Sequence, residues 1–163
     1  MDTGISFTEL LAWIGSETTR YEQWFATQPP EVWTVPAGTG RITTVHGLLH
    51  HVYAVDVRLS QRVYGQPLAS DAEVAAADPT ALFALARRGQ GMLATAVDGS
   101  LDLNVVLEWV LATGAQMRAS RRKVVAHALT HHIRHLAQVA TLLRQAGFAT
   151  TWPHDLLLSD ALT

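Results

Sequence analysis

Four long segments of this chain carry helical start and stop signals, and they constrain the fold more than any other feature of its sequence. The first opens at Ser6, with Glu9 completing a capping box, and runs to about Thr27 before Pro29. The other three begin at a Thr, Asp or Ser cap and stop just before a glycine, and they cover Thr43 to Tyr64, Asp78 to Asp98 and Ser120 to Ala146. Four amphipathic helices of this length predict an all-α fold, a four-helix bundle.

The segment between the third and fourth predicted helices has another pattern. Residues 101–109 are rich in β-branched and large apolar side chains, and Thr113-Gly114 and a second short extended piece follow. We predict a small β-hairpin there, directly before the last long helix. The stretch before Gly40 predicts a loop, and the tail after Pro153 predicts one short helix. Because no repeat or linker interrupts the chain, residues 1–163 are expected to form a single domain.

Composition excludes several classes of function. Of 163 residues, 48% are hydrophobic and 16% are charged, which is typical of a folded globular domain. A net charge of −2 gives no general reason to bind nucleic acid, so no such partner is expected. The lack of cysteine excludes disulfides, thiolate ligands and a cysteine nucleophile. The first residues do not resemble a signal peptide and no segment is long enough to span a membrane, so we expect a soluble cytoplasmic protein without a membrane partner.

Histidine is the unusual residue of this composition, because seven of the eight histidines fall in two short stretches. They are His46, His50, His51, His127, His131, His132 and His135. Histidine is the commonest metal ligand. On a helical wheel His51 borders the apolar face of the second predicted helix, whereas His46 and His50 fall on the far side. We therefore predict that His46 and His50 are solvated surface residues.

In the last predicted helix, His131 and His135 are stacked one turn apart beside the apolar stripe. Two histidines at this spacing can bind one metal ion together. His132 lies deeper in the apolar arc, which favours a structural role. Two interpretations of the pattern remain open: a metal site that combines His51 with His131 and His135, and a hydrogen-bonded polar layer within the bundle.

Three stretches of this sequence resemble the DinB-like (damage-inducible) proteins. In residues 127–138 three histidines follow one another at intervals of four, with a glutamine three residues further, and residues 142–147 give the apolar-Leu-Arg-x-x-Gly ending. Residues 48–56 resemble the second helix of that family, where a histidine follows Leu-Leu-x and an acidic residue comes five later. The common His-His-Arg-Gly-Gln run of the family is replaced here by Arg-His-Leu-Ala-Gln over residues 134–138.

This resemblance implies a four-helix bundle in which one divalent metal ion is bound by His51, His131 and His135. Zinc is the first expectation for the ion and nickel the second, since imidazole suits both. The resemblance also implies a homodimer, and a low-molecular-weight thiol as a possible cosubstrate.

Three histidine ligands leave a coordination position open to water or substrate, as in catalytic zinc sites. The resemblance then implies a metal-dependent enzyme, either a transferase that uses a low-molecular-weight thiol or a hydrolase. The alternative is a non-catalytic stress-response protein in which the metal braces the bundle. No Ser-His-Asp order, phosphate-binding loop or paired carboxylates appear in the sequence. The sequence does not decide whether the chain is an enzyme.

Other side chains are weaker candidates, each with a structural alternative. Those for proton transfer are Asp56, Glu108 and Tyr21. A basic cluster at the start of the last helix suggests either a solvated end or a dock for an anionic cosubstrate, and it comprises Arg118, Arg121, Arg122 and Lys123. Three tryptophans are expected either to pack into the bundle or to form a dimer contact, namely Trp13, Trp24 and Trp33.

Overall fold

The computed structural model describes residues 4–111 and 113–162, with only the backbone of the last of these. Residues 1–3, which belong to the N-terminal segment that does not resemble a signal peptide, lie outside the described residues. The described chain is mostly helical, with four long helices, which are α1 (Phe7–Phe25), α2 (Val45–Val63), α3 (Pro79–Val97) and α4 (Arg121–Gln145). An antiparallel hairpin of β1 (Val106–Val110) and β2 (Gln116–Ser120) precedes α4. Short 3-10 helices cover Pro30–Thr34, Leu156–Leu158 and Asp160–Leu162.

The helices begin at side-chain caps, most of which were predicted. The Ser6 hydroxyl accepts from the Glu9 backbone N–H at 3.2 Å, and the Glu9 carboxylate accepts from the Ser6 N–H at 2.7 Å, so the capping box is confirmed. Asp78 and Ser120 cap α3 and α4 as predicted. The predicted Thr43 cap of α2 is wrong. Thr44 caps this helix, because the Thr43 carbonyl instead accepts from the Ala37 N–H and the segment before α2 is extended.

The hairpin before α4 is confirmed, although its first strand begins at Val106, later than the sequence pattern suggests. In its register Glu108 lies opposite Arg118 and Trp109 lies opposite Met117. Because side chains alternate between the faces of a strand, Trp109 and Glu108 lie on opposite faces. The second strand runs directly into α4, with Ser120 as its last residue and the cap of the helix.

The helices pack as a bundle in which α2 contacts α3 and α4, and α1 contacts the same two helices. Two of the three tryptophans pack within this structure: Trp24 is buried, and Trp33 stacks on Phe25 with ring centroids 4.1 Å apart. Trp13 is half-buried. Within the described part of the chain, no helix combines the length and the apolar character that a membrane span requires. The contact between α2 and α4 brings the two histidine stretches together.

A close contact between α2 and α3 depends on a glycine. A Cβ atom added at Gly89 would lie 2.9 Å from the Cβ of Asp56 and 3.3 Å from the Val57 backbone nitrogen. We therefore expect Gly89→Ala to lower the free energy of unfolding by about 1–3 kcal/mol, because the helices must move apart. Gly91→Ala in the same helix is the matched control. Its Cβ would meet nothing within 4 Å, so alanine there is expected to stabilise α3 by up to about 1 kcal/mol.

Urea denaturation of the two alanine variants measures both changes directly. Equal effects at the two glycines would contradict the close packing of α3 on Asp56.

Candidate metal centre

The three histidines singled out by the sequence lie together in the structure. His51 is on α2, and His131 and His135 are one turn apart on α4. One ring nitrogen from each histidine lies within 4.8 Å of those of the other two. The Nε2 atoms of His51 and His131 are 3.2 Å apart. His131 is buried, while His51 and His135 are half-buried, so the cluster has one side open to solvent.

This geometry fits a metal ion with imidazole ligands. Two nitrogens that bind zinc at 2.0–2.1 Å in a tetrahedral site are about 3.3 Å apart. The separation of 3.2 Å between the Nε2 atoms of His51 and His131 is close to that value. A single N–H···N hydrogen bond also explains this one distance, but it leaves the third imidazole without a role. Three nitrogens within 4.8 Å of one another form a group that could hold one shared ion.

The neighbours of His135 help to orient its ring. Its Nδ1–H donates to the Gln138 side-chain oxygen at 2.9 Å, which leaves Nε2 as the nitrogen that carries the acceptor lone pair. Metal-binding histidines commonly donate their second N–H to such an acceptor. The Arg134 guanidinium lies 3.3 Å from that Nε2. Because Arg134 is exposed, its side chain has room to move into solvent and expose this lone pair.

The ring environments favour neutral imidazoles. Burial, followed by the neighbouring rings of His135 and His51, lowers the pKa of His131 to about 3. Burial also lowers the pKa of His51, with His135 as the next cause. A histidine must lose its proton before it can bind a metal. Both residues therefore have unprotonated rings at neutral pH, as metal ligands need.

The lowered pKa of His131 makes the stability of the metal-free protein depend on pH. In the unfolded chain this ring takes up a proton near pH 6.5, whereas in the folded chain it stays neutral down to about pH 3. The unfolded state binds more protons between these values, so stability is fully present above pH 6.5 and falls as the pH drops below it. From pH 6.5 to 5 we expect a loss of up to about 2 kcal/mol from this group.

Urea denaturation of chelator-treated protein at several pH values measures that loss. His131→Asn, which removes the titrating ring, is expected to give a shallower pH dependence. An unchanged slope in this variant would mean that His131 titrates normally in the folded protein.

Two histidines of the first stretch are not where the sequence placed them. His46 and His50 were predicted to be solvated, and both are half-buried. The His50 Nε2–H donates to the Val74 carbonyl at 2.8 Å, and the His46 ring packs edge-on against Trp33. The prediction is wrong because chain segments outside the four long helices cover this side of α2. A helical wheel contains no information about such cover.

His132 has a buried partner, as the structural role predicted for it requires. Its Nδ1–H donates to the Asp56 carboxylate at 2.6 Å, and both side chains are almost completely buried. Burial raises the pKa of Asp56, and the His132 ring opposes that rise. This pair joins α2 to α4 on the core side of the metal-site candidates, so Asp56 already has a structural partner.

The other two candidates for proton transfer also have structural roles. The Tyr21 hydroxyl is fully buried and donates to the Leu136 carbonyl at 3.2 Å. Glu108 is exposed on the hairpin and pairs with Arg118 at 3.1 Å. The partners of these two side chains are therefore Leu136 and Arg118, and not the three clustered histidines.

One polar cluster was missed by the sequence analysis. The buried Glu17 carboxylate accepts from the Trp152 indole N–H at 3.2 Å and from the His154 Nδ1–H at 2.7 Å. The Thr150 hydroxyl lies 2.7 Å from the other ring nitrogen of His154. These contacts fix the C-terminal tail to α1. The available signal was an acidic residue at a core position of the first helix, three residues after Ile14.

A pocket of about 400 Å³ lies beside the three histidines, between α2, α4 and the hairpin. The histidines do not line it, but neighbours of two of them do. Val55 is one turn after His51, and His127 is one turn before His131, with its ring centroid 5.8 Å from that of His131. A pocket of this size is in the usual range for small-molecule sites. A substrate-sized space therefore adjoins the cluster.

The basic residues before and within the first turn of α4 do not form a single patch. Arg118 pairs with Glu108, and the Arg121 guanidinium donates to the carbonyls of Val63 and Asp102. Arg122 lies over the Phe7 ring. Lys123 alone among the four lines the pocket beside the histidines.

Comparison with known protein families agrees with the resemblance seen in the sequence. A model of the DinB family matches residues 1–160. No protein of curated function is significantly similar to this chain. The match covers all four helices, the hairpin and the three clustered histidines. The chain belongs to the DinB family.

Proposed function

We propose that this protein binds one divalent metal ion through His51, His131 and His135. The observation that carries the proposal is the convergence of three ring nitrogens within 4.8 Å of one another. The depressed pKa values of His51 and His131 and the hydrogen bond from His135 to Gln138 support it. Zinc is the first candidate and nickel the second, because both bind imidazole well and no thiolate is present.

We further propose that the site is catalytic and serves a transferase that uses a low-molecular-weight thiol, or a hydrolase. A divalent ion with an open coordination position supplies Lewis acidity, which lowers the pKa of a coordinated water or thiol. The chain's own contribution is to hold three neutral imidazoles on two packed helices and to offer a pocket next to them. That pocket favours catalysis over a purely structural ion.

Some expectations from the sequence stay predictions. They are the DinB-like arrangement of the four helices, a single domain over residues 1–163, a homodimer and a cytoplasmic location. The alternative function, a stress-response protein braced by its metal, is supported by one observation. The three histidines link α2 to α4, so an ion there would strengthen that contact.

Metal content is the first test of the proposed function. The purified protein is expected to contain about one zinc or nickel ion per chain, because three imidazoles hold one ion. Elemental analysis by plasma mass spectrometry measures this value. Protein treated with a chelator is the starting point for titration with zinc and with nickel. Failure to take up either ion after such reconstitution would overturn the proposal.

A further inference from the structure

The pocket beside the three histidines has apolar walls. Leu59 and Val124 line it from α2 and α4, and Trp109 and Met117 line it from the hairpin. Leu68 and Met117 are among the exposed large apolar residues of the described chain, so apolar surface also surrounds the opening. Walls of this kind favour the apolar body of a small molecule over a strongly hydrated one.

The charged groups that line this pocket all have the same sign. They are Arg58, Arg62 and Lys123, with His127 beside them, and no carboxylate lines the pocket. Arg58 is already neutralised, because its guanidinium pairs with Asp71 at 2.5 Å and donates to the Ala69 carbonyl. Among the residues that the structure describes, neither Arg62 nor Lys123 has a carboxylate partner. Two uncompensated cations therefore lie in a mostly apolar pocket.

The Arg62 guanidinium is held in place by an aromatic ring. Its central carbon lies 4.5 Å from the centre of the Trp109 ring. Partial burial lowers the pKa of Arg62, so this charge has lost part of its hydration. Stacking uses the face of a guanidinium and leaves the N–H groups at its edge free to bind an anion. A partly desolvated cation without a counter-ion is stabilised when an anion binds beside it, and the second cation lining the same pocket adds to that attraction.

We infer that this pocket binds a small organic anion with an apolar body, whose charged group is bound by Arg62 and Lys123. The ligand class rests on the proposed function in one respect: the pocket adjoins the three histidines through Val55 and His127, so the bound anion would be a substrate of that site. The binding itself requires only the pocket and its cations.

Calorimetric titration with octanoate, octanol and octylamine tests the inference. These probes share an eight-carbon chain and differ in their polar group. Octanoate is expected to bind at least about tenfold more tightly than octanol, and octylamine more weakly than octanol, because only the carboxylate pairs with the cations. Equal binding of octanoate and octanol would overturn the role of the charge. No binding of octanoate would overturn the inference as a whole.

Substitutions locate the site. Arg62→Met and Lys123→Met are each expected to weaken octanoate binding about tenfold or more, because each removes one cation and keeps an apolar stem. Arg122→Met is the matched control, because it removes one positive charge from the residue next to Lys123 in the sequence. The Arg122 side chain packs over the Phe7 ring and does not line the pocket. An equal loss in all three variants would mean general electrostatic attraction, and would overturn the inference. Lys123 is exposed, so its substitution leaves the core packing intact.

The titrations are repeated on protein whose zinc uptake has been measured separately. Zinc uptake without octanoate binding would overturn the inference of an anion site and leave the proposed metal site unaffected. Octanoate binding by a chain that takes up neither zinc nor nickel would support the anion site and overturn the proposed metal site. In that case the ligand class would stand without its link to the three histidines.

Discussion

Alanine in place of His131 is expected to lower the affinity for zinc by about a thousandfold. Structural zinc sites in proteins are worth roughly 10–16 kcal/mol, and loss of one of three protein ligands should remove about a third of that. His131 is expected to show the largest loss, because it is the most buried of the three and its side chain is therefore the most firmly positioned. Alanine at His51 or His135 should also remove most of the binding. Competition with a chromophoric zinc chelator measures each affinity.

The chain provides matched controls for these ligand variants. His127→Ala changes a histidine one turn before His131, outside the cluster of three. His50→Ala changes the residue next to His51 in the sequence. The His50 ring donates to the Val74 carbonyl and is not part of the cluster. Both controls, like His46→Ala, are expected to leave zinc affinity nearly unchanged. A large loss at His50 combined with no loss at His51 would show that the wrong member of this pair has been assigned to the ion.

Leucine in place of His132 is expected to lower the free energy of unfolding by about 3–5 kcal/mol. The substitution removes the hydrogen bond that the buried Asp56 carboxylate accepts from His132, and an uncompensated buried charge is costly. Asp56→Asn should cost less, because the asparagine side-chain oxygen can still accept from the His132 ring. Equilibrium denaturation in urea, carried out on chelator-treated protein, separates this effect from metal binding.

An exposed ion pair provides the comparison for that result. Glu108 and Arg118 face each other across the hairpin at 3.1 Å, and both side chains are largely in solvent. Glu108→Ala is therefore expected to change stability by about 1 kcal/mol or less. Similar losses of unfolding free energy in His132→Leu and Glu108→Ala would mean that the buried hydrogen bond between His132 and Asp56 contributes no more to stability than an exposed ion pair.

The elements that the sequence predicted well are those controlled by local interactions. The start of the first helix depends on Ser6 and Glu9, which are three residues apart, and the start of the last depends on Ser120 and its own first turn. The histidine cluster was also accessible, because a helical wheel shows which residues share a face with the core. His51, His131 and His135 each border an apolar stripe, and packing of α2 on α4 brings those borders together.

The remaining features depend on contacts between distant segments, which local patterns do not encode. The cover over His46 and His50 comes from Trp33 and Val74, in segments outside the four long helices. Glu17 finds its partners more than 130 residues later in the chain. The pocket exists only where the hairpin meets α2 and α4, so the stacking of Arg62 on Trp109 could not be read from either residue alone.

The separation of the histidines along the chain has a consequence for the order of events during biosynthesis. His51 and His131 are 80 residues apart, and α3 and the whole hairpin lie between them. In a zinc finger the ligands are close in sequence, so the ion can organise a short peptide locally. Here the intervening loop must close before the two imidazoles meet, and closure of a long loop carries an entropic cost that the packing of α2 on α4 must supply first. An ion bound by the proposed site would therefore enter a chain that has already folded, and its arrival would mark the end of folding rather than its beginning.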